Sequence, residues 1–91
     1  MKIQKQATAG TLESSDCMIL IEPSDSPQNE LEIHSIVLEQ YGEDIRSAAN
    51  AVLERLGAEY ARVTIHDRGA FDCVIDARME TALLRASEGG M

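Results

Sequence analysis

Four residues of the sequence have side chains that can bind zinc or take part in nucleophilic catalysis, namely Cys17, His34, His66 and Cys73. Structural zinc sites usually take their ligands in closely spaced pairs, and these four residues stand apart along the chain. No spacing pairs either histidine with an activated nucleophile. We therefore expect no metal site and no catalytic residues, and we expect Cys73 to pack in the core as a small apolar side chain.

The hydroxyl of a serine in a predicted turn is the remaining group that could take part in a reaction. Glu13, Ser14, Ser15 and Asp16 separate two predicted strands, and such small or acidic residues close turns by bonding locally to the backbone. Ser14 is thereby placed at or near an exposed tip. Without a convincing active site, the sequence favours a carrier, binding or interaction protein over an enzyme.

Phosphate and calcium sites are both disfavoured. Four glycines stand singly at turns and ends, and the pair Gly89-Gly90 lies in the tail, so the sequence contains no phosphate-binding loop. Acidic pairs such as Glu43 and Asp44 lack the alternating oxygen ligands of a calcium loop. We assign these acids to the surface of a helix.

The first half of the chain predicts three strands and a helix. Residues 7–12 and 17–22 favour two strands, residues 23–29 form a loop with two prolines, and residues 30–34 alternate between apolar and polar side chains. From Ser35 to Leu56 the apolar residues recur every three or four positions, as in an amphipathic helix. Ser35 is the expected N-cap, and Gly57 is the expected stop signal.

The second half predicts a β-hairpin followed by a helix. Residues 62–66 and 71–76 alternate around a turn at residues 67–70, and residues 77–87 are rich in helix formers. Residues 88–91 are expected to fray. The order β-β-β-α-β-β-α predicts an α+β fold in two layers, with a mainly antiparallel sheet of about five strands covered by two helices.

Length and composition fit one small domain spanning residues 1–91. The 91 residues are 44% hydrophobic and 26% charged, which is typical of a globular chain. The longest apolar run is five residues, Cys17 to Ile21, so neither a signal peptide nor a membrane span is expected and the predicted location is the cytoplasm. Two widely separated cysteines predict free thiols.

The charge of the chain is strongly acidic and unevenly distributed. Sixteen acids against eight bases give a net charge of −8, which disfavours nucleic acid and anionic membranes as partners. Between Lys5 and Arg46 there are nine acids and no Lys or Arg. This stretch is either a solvated surface or a docking surface for a basic partner protein, and composition does not choose between them.

Several segments closely resemble the acyl carrier protein, or gamma subunit, of bacterial citrate lyase. They are residues 1–3 (MKI), 9–16 (AGTLESSD) with 18–19 (MI) following, 41–46 (YGEDIR), 69–74 (GAFDCV), 77–80 (ARME) and 82–87 (ALLRAS). Together they extend over nearly the whole chain, and the Gly-Thr-Leu-Glu-Ser run is specific to the family. The family usually has Gly after the serine that matches Ser14, whereas this chain has Ser15.

The resemblance implies a covalently loaded carrier. It implies that Ser14 carries phosphoribosyl-dephospho-coenzyme A through a phosphodiester bond, with Ser15 as the neighbouring alternative hydroxyl. It implies an alpha subunit that exchanges acetyl for citryl and a beta subunit that cleaves the citryl thioester to oxaloacetate. A prosthetic-group transferase and an acetylating ligase are the further implied partners.

Two other functions remain open. The carrier subunit of malonate decarboxylase uses the same type of prosthetic group, although the match at both ends of the chain favours citrate lyase. A non-catalytic α+β interaction or regulatory domain is the alternative from another class, and its activity would survive the loss of Ser14.

Overall fold

A sheet and a pair of helices form two layers in the computed structural model, which describes residues 1–87. The elements are β1 (Ala7–Gly10), β2 (Cys17–Pro23), β3 (Glu30–Ser35), α1 (Leu38–Arg55), β4 (Ala61–Asp67) and α2 (Asp72–Ser87). The order of strands across the sheet is β1-β2-β4-β3. The α+β class is confirmed, and the expected fraying of residues 88–91 lies outside the described residues.

The sheet is mixed, and its pairing brings three loops together. β2 runs antiparallel to both β1 and β4, whereas β3 and β4 are parallel and are joined through α1. Asp67 is paired with Cys17 on one side and with Ser35 on the other. The loops 11–16, 36–37 and 68–71 therefore lie at one end of the sheet, which we call the serine end.

The core lies between the helices and one face of the sheet. Alternate residues of β2 and β4 are buried, as the two-residue period of a strand requires. The largest fully buried apolar side chains are Ile19, Ile21, Val52, Val63, Ile65, Ile75, Met79 and Leu83. Burying one such side chain contributes about 1.5–3 kcal/mol, so this shared core fixes the helices against the sheet.

The predicted fifth strand at residues 71–76 is wrong, because helix α2 begins at Asp72. The Phe71 carbonyl accepts hydrogen bonds from the Val74 and Ile75 amides, which closes the first helical turn. Ile75 and Met79 are both buried, so the helical spacing of four prevails over the alternation that begins at Phe71. Cys73 is consequently exposed rather than packed in the core.

Helix α1 is shorter at its start than the sequence predicts. Ser35 is not its N-cap, because Ser35 ends β3 and its hydroxyl accepts a hydrogen bond from the Val37 amide at 3.0 Å. The C-terminal stop is confirmed, since Gly57 has φ +64° and the Ala58 amide donates to the Leu53 carbonyl. Neither helix has the apolar length needed to cross a bilayer within the described residues.

Candidate functional site

The loop between β1 and β2 contains a tight turn with Ser14 at its tip. The Asp16 amide donates to the Glu13 carbonyl at 3.1 Å, so Ser14 and Ser15 are the two central residues. Ser15 has φ +65°, the left-handed conformation that glycine adopts most easily. Ser14 is exposed. The predicted turn between the first two strands and the exposed position of Ser14 are both present in the structure.

Backbone hydrogen bonds attach this turn to the loop after β4. The Ser15 amide donates to the Arg68 carbonyl at 2.8 Å, and the Arg68 amide donates to the Asp16 carbonyl at 2.9 Å. These two bonds continue the β2–β4 ladder past its last strand pair. The turn is therefore fixed by hydrogen bonds to the neighbouring loop as well as by its connections to β1 and β2.

The carboxylate of Asp16 joins the turn to helix α2. It accepts from Arg78 Nε at 3.1 Å and Arg78 Nη2 at 2.9 Å, and also from the Thr11 hydroxyl and the Cys17 amide, both at 2.7 Å. These donors, with Arg78 first, hold the pKa of Asp16 well below its usual range. Asp16 is thus charged at neutral pH and fixes both ends of the turn.

Gly10 lets the two strands meet closely where the loop begins. It has φ +97°, and a Cβ atom built at this position would overlap the Cys17 carbonyl oxygen and lie 3.2 Å from the Arg78 side chain. Any larger residue would push β1 away from β2 or displace the arginine. The close approach of the strands at Gly10 therefore supports the Asp16–Arg78 pair.

Asp67 is the buried polar centre of the serine end, with 2% of its surface exposed. Its carboxylate accepts from the Ser35 hydroxyl at 2.8 Å and from the Gly69 and Ala70 amides at 3.0 and 2.9 Å. It therefore binds the loop after β3 to the loop after β4. A buried carboxylate is stable here because each contact supplies a hydrogen-bond donor.

The four residues weighed for zinc or catalysis do not form one site. His34 and His66 stack with ring centroids 4.9 Å apart, and His34 lies 2.6 Å from Glu32. Cys17 is buried, and burial raises its pKa to about 12, so it is a poor nucleophile. Within residues 1–87 no group of three or more potential ligands could hold a metal ion. Both thiols are free, as predicted.

Asp67 and the Asp16–Arg78 pair are the supporting residues that sequence reasoning missed. Asp16 and Arg78 are 62 positions apart, and Ser35 and Asp67 are 32 apart. Asp67 followed by Gly69 in a loop was a usable signal, because aspartate often accepts from amides two residues on. No local pattern connects Arg78 to the serine turn.

Known proteins resemble this chain over nearly its whole length. The family model described as "Malonate decarboxylase delta subunit (MdcD)" matches residues 4–86. The citrate lyase acyl carrier protein of Yersinia enterocolitica serotype O:8 / biotype 1B is 51% identical over 88 residues, which is 97% of this chain and 91% of the relative. That of Serratia proteamaculans (strain 568) is 49% identical over 90 residues, which is 99% of this chain and 88% of the relative.

A solved structure shares the fold. A chain in the crystal structure of a Pseudomonas malonate decarboxylase hetero-tetramer in complex with malonate matches with a TM-score of 0.82 at 19% identity, covering 92% of this chain and 86% of the other. Acyl carrier proteins are non-catalytic subunits that carry a covalently bound prosthetic group. On the identity to its relatives, this chain belongs to the citrate lyase acyl carrier protein family.

Proposed function

We propose that this chain is the acyl carrier subunit of citrate lyase and that Ser14 is attached through a phosphodiester bond to phosphoribosyl-dephospho-coenzyme A. The main support is one observation: Ser14 is exposed at the tip of a turn that the sheet and α2 hold in place. A separate transferase can reach such a hydroxyl without an activating base in the carrier itself. The turn therefore suits covalent loading from outside.

The residues around Ser14 would serve the carrier role by holding the attachment point. When bound, the prosthetic group supplies a terminal thiol that holds acetyl or citryl as a thioester. Asp16 and Arg78 fix the base of the turn, and the Arg68 backbone fixes Ser15. A fixed anchor presents its load to each active site at a high effective concentration, in the millimolar range for short flexible tethers.

The proposed partners follow from this chemistry. An alpha subunit would exchange acetyl for citryl, a beta subunit would release oxaloacetate, and a transferase and an acetylating ligase would load the chain. The net charge of −8 disfavours nucleic acid and anionic membranes, and we place the complex in the cytoplasm. The whole of residues 1–91 would act as a single carrier domain.

Mass spectrometry tests the attachment site. The chain would be co-expressed with the citrate lyase maturation enzymes, and intact mass would be followed by peptide mapping. We expect a mass excess equal to the prosthetic group on the peptide that contains Ser14. The Ser14→Ala variant should lose the excess, and the matched Ser15→Ala variant should keep it.

Each alternative result has a distinct meaning. An excess that persists in Ser14→Ala and disappears in Ser15→Ala would move the site to Ser15. No excess in any of the three proteins would remove the support for a covalent carrier and favour a non-catalytic interaction or regulatory domain.

The carrier subunit of malonate decarboxylase is the second candidate, supported by the 0.82 TM-score to a chain of that complex. Identity favours citrate lyase, at 51% against 19% for the malonate decarboxylase chain. Incubating the loaded chain with each set of catalytic subunits separates the two. Oxaloacetate release from citrate would support our proposal, whereas decarboxylation of malonate alone would support the second candidate.

A further inference from the structure

Large apolar side chains are exposed mainly at the serine end. Six such residues are strongly exposed within residues 1–87, and five of them belong to the loops of this end or to the start of α1. These five are Leu12 (50% exposed), Ile36 (68%), Leu38 (47%), Tyr41 (47%) and Phe71 (74%). Single exposed apolar residues are normal, but a concentration of them marks a contact surface.

Two surface depressions at the serine end are lined by these side chains. One has a volume of about 400 Å³ and is lined by Leu12 and Ile36, and the other has about 500 Å³ and is lined by Tyr41 and Phe71. Asp67 lines both depressions. The backbone of Arg68, the next residue, binds Ser15. We call Leu12, Ile36, Tyr41 and Phe71 the apolar collar.

Charged residues surround the collar, and most of them are acidic. Asp44 and Asp72 line the larger depression and Glu13 directly precedes Ser14, whereas Arg68 lines the smaller depression. The stretch from Lys5 to Arg46, which supplies three of the four collar residues, contains no other Lys or Arg. An apolar centre within a charged rim is the usual anatomy of a specific protein interface.

We propose that the apolar collar is the docking surface for the catalytic subunits that receive the load of Ser14, and that each presents apolar residues edged by Lys or Arg around its active-site entrance. This inference rests on the proposed function. An enzyme that takes in a group attached to Ser14 must cover the serine end, and the collar supplies most of the exposed apolar side chains of that end. Two copies of this chain would oppose one acidic rim to another, so the charge favours a basic partner over self-association.

Serine substitutions in the collar test the proposal against a matched control. Phe71→Ser and Ile36→Ser each remove an exposed apolar side chain, and Leu84→Ser removes one that is 44% exposed on α2 away from the serine end. Binding of the loaded chain to the alpha and beta subunits of citrate lyase would be measured by isothermal titration calorimetry. Urea unfolding would check that all three variants remain folded.

We expect each collar substitution to weaken binding by about tenfold or more, as the loss of an interface anchor does. Leu84→Ser should bind as the unsubstituted chain does. Raising the salt concentration should weaken binding of the unsubstituted chain severalfold, because it screens the acidic rim from a basic partner.

Three results would overturn the docking surface while leaving the attachment site intact. In the first, the Phe71 and Leu84 variants bind the catalytic subunits equally well. In the second, a chain that mass spectrometry shows to be loaded does not bind them. In the third, sedimentation of the chain alone shows a dimer that is lost when a collar residue is substituted. The last result would make a second copy the occupant of the collar. A chain that stays unloaded after co-expression with the maturation enzymes, and that also binds neither subunit, would overturn the proposed function and the docking surface with it.

Discussion

At both ends of the sheet a short polar side chain ties neighbouring loops to the strands. Asp67 does so at the serine end, and Asn29 does so at the opposite end, formed by loops 24–29 and 56–60. Asn29 accepts from the Ala61 amide at 3.1 Å and donates to the Ala58 carbonyl at 2.9 Å. Each end also holds one non-glycine residue with positive φ, Ser15 or Tyr60.

The two ends differ in their exposed apolar side chains. Loops 24–29 and 56–60 of the opposite end contain no strongly exposed large apolar side chain, whereas the serine end has the collar. The N-terminal amine of Met1 closes the opposite end by donating to the Gly57 carbonyl at 2.8 Å. Similar side-chain hydrogen bonds, from Asn29 and Asp67, therefore support both ends, but only the serine end has the features of a contact surface.

The largest expected difference between the ends concerns their glycines. Gly10→Ala should destabilise the protein by about 3 kcal/mol or more, because strain at positive φ adds to an overlap with the Cys17 carbonyl. Gly57→Ala should cost only about 1 kcal/mol, since its new Cβ would meet nothing closer than 3.9 Å. Urea unfolding of both variants measures the difference, and equal losses would show that the strands can separate freely at Gly10.

Removing the Asp67 side chain should lower the free energy of unfolding more than removing the Asn29 side chain. Asp67→Ala leaves one hydroxyl and two amides without their acceptor in a buried site, at a cost of about 2–3 kcal/mol. Asn29→Ala should cost less, about 1–2 kcal/mol, because only the Ala61 amide and the Ala58 carbonyl lose a partner, and water can enter the space of the exposed Asn29 side chain. Chemical denaturation at neutral pH compares them, and a larger loss for Asn29→Ala would reverse the ranking of the two ends.

The ion pairs of the two ends should respond differently to substitution and pH. Arg78→Gln should lower the urea midpoint at pH 7, whereas Arg62→Gln, which loses a more exposed pair with Glu30, should change it little. Because the pKa of Asp16 is depressed in the folded state, its stabilisation is present above the unfolded pKa of about 4 and is lost as the pH falls below that value.

Arg78→Gln should have a lower urea midpoint than the unsubstituted chain at neutral pH, and this difference in midpoint should become smaller as the pH falls to below about 4. Carbon-13 NMR of the Asp16 carboxyl should show its pKa returning towards the usual value in this variant. A deficit that stays constant with pH would mean that Arg78 acts through packing rather than through charge.

The smallest expected effect is a gain in stability at the tip of the serine turn. Ser15→Gly should stabilise the protein by about 0.5–1 kcal/mol, because Ser15 has φ +65° and glycine adopts this conformation without strain. Ser14→Gly, one residue earlier, should give no gain. Thermal unfolding measures both, and a loss of stability in Ser15→Gly would show that the Ser15 side chain has a role of its own.

The sequence predicted the elements that have one strong period. The alternation in β2 and the apolar stripe through Ile45, Ala49 and Val52 both correspond to buried faces. Residues 71–76 were misassigned because an alternating pattern of six residues also fits the first turns of a helix. Packing of Ile75 with the core decides in favour of the helix, and packing is not a local property of the sequence.

The exposed serine was predictable, but its support was not. Turn residues around Ser14 gave a local signal, and β1 and β2 are close in the chain. The pairing of β2 with β4 and the parallel pairing of β3 with β4 depend on contacts between distant residues. Only these pairings bring Asp67, Arg68 and the collar to the same end as Ser14.

The pair formed by Asp16 and Arg78 also sets an order of events during synthesis. The arginine lies 62 residues after the aspartate, so a ribosome adding roughly 5–20 residues per second makes it roughly 3–12 s later. Ala86, made later still, accepts hydrogen bonds from the Gln4 and Lys5 amides. A growing chain therefore contains Ser14 several seconds before the turn is fixed, and a transferase that required the fixed turn would have to act after α2 has folded.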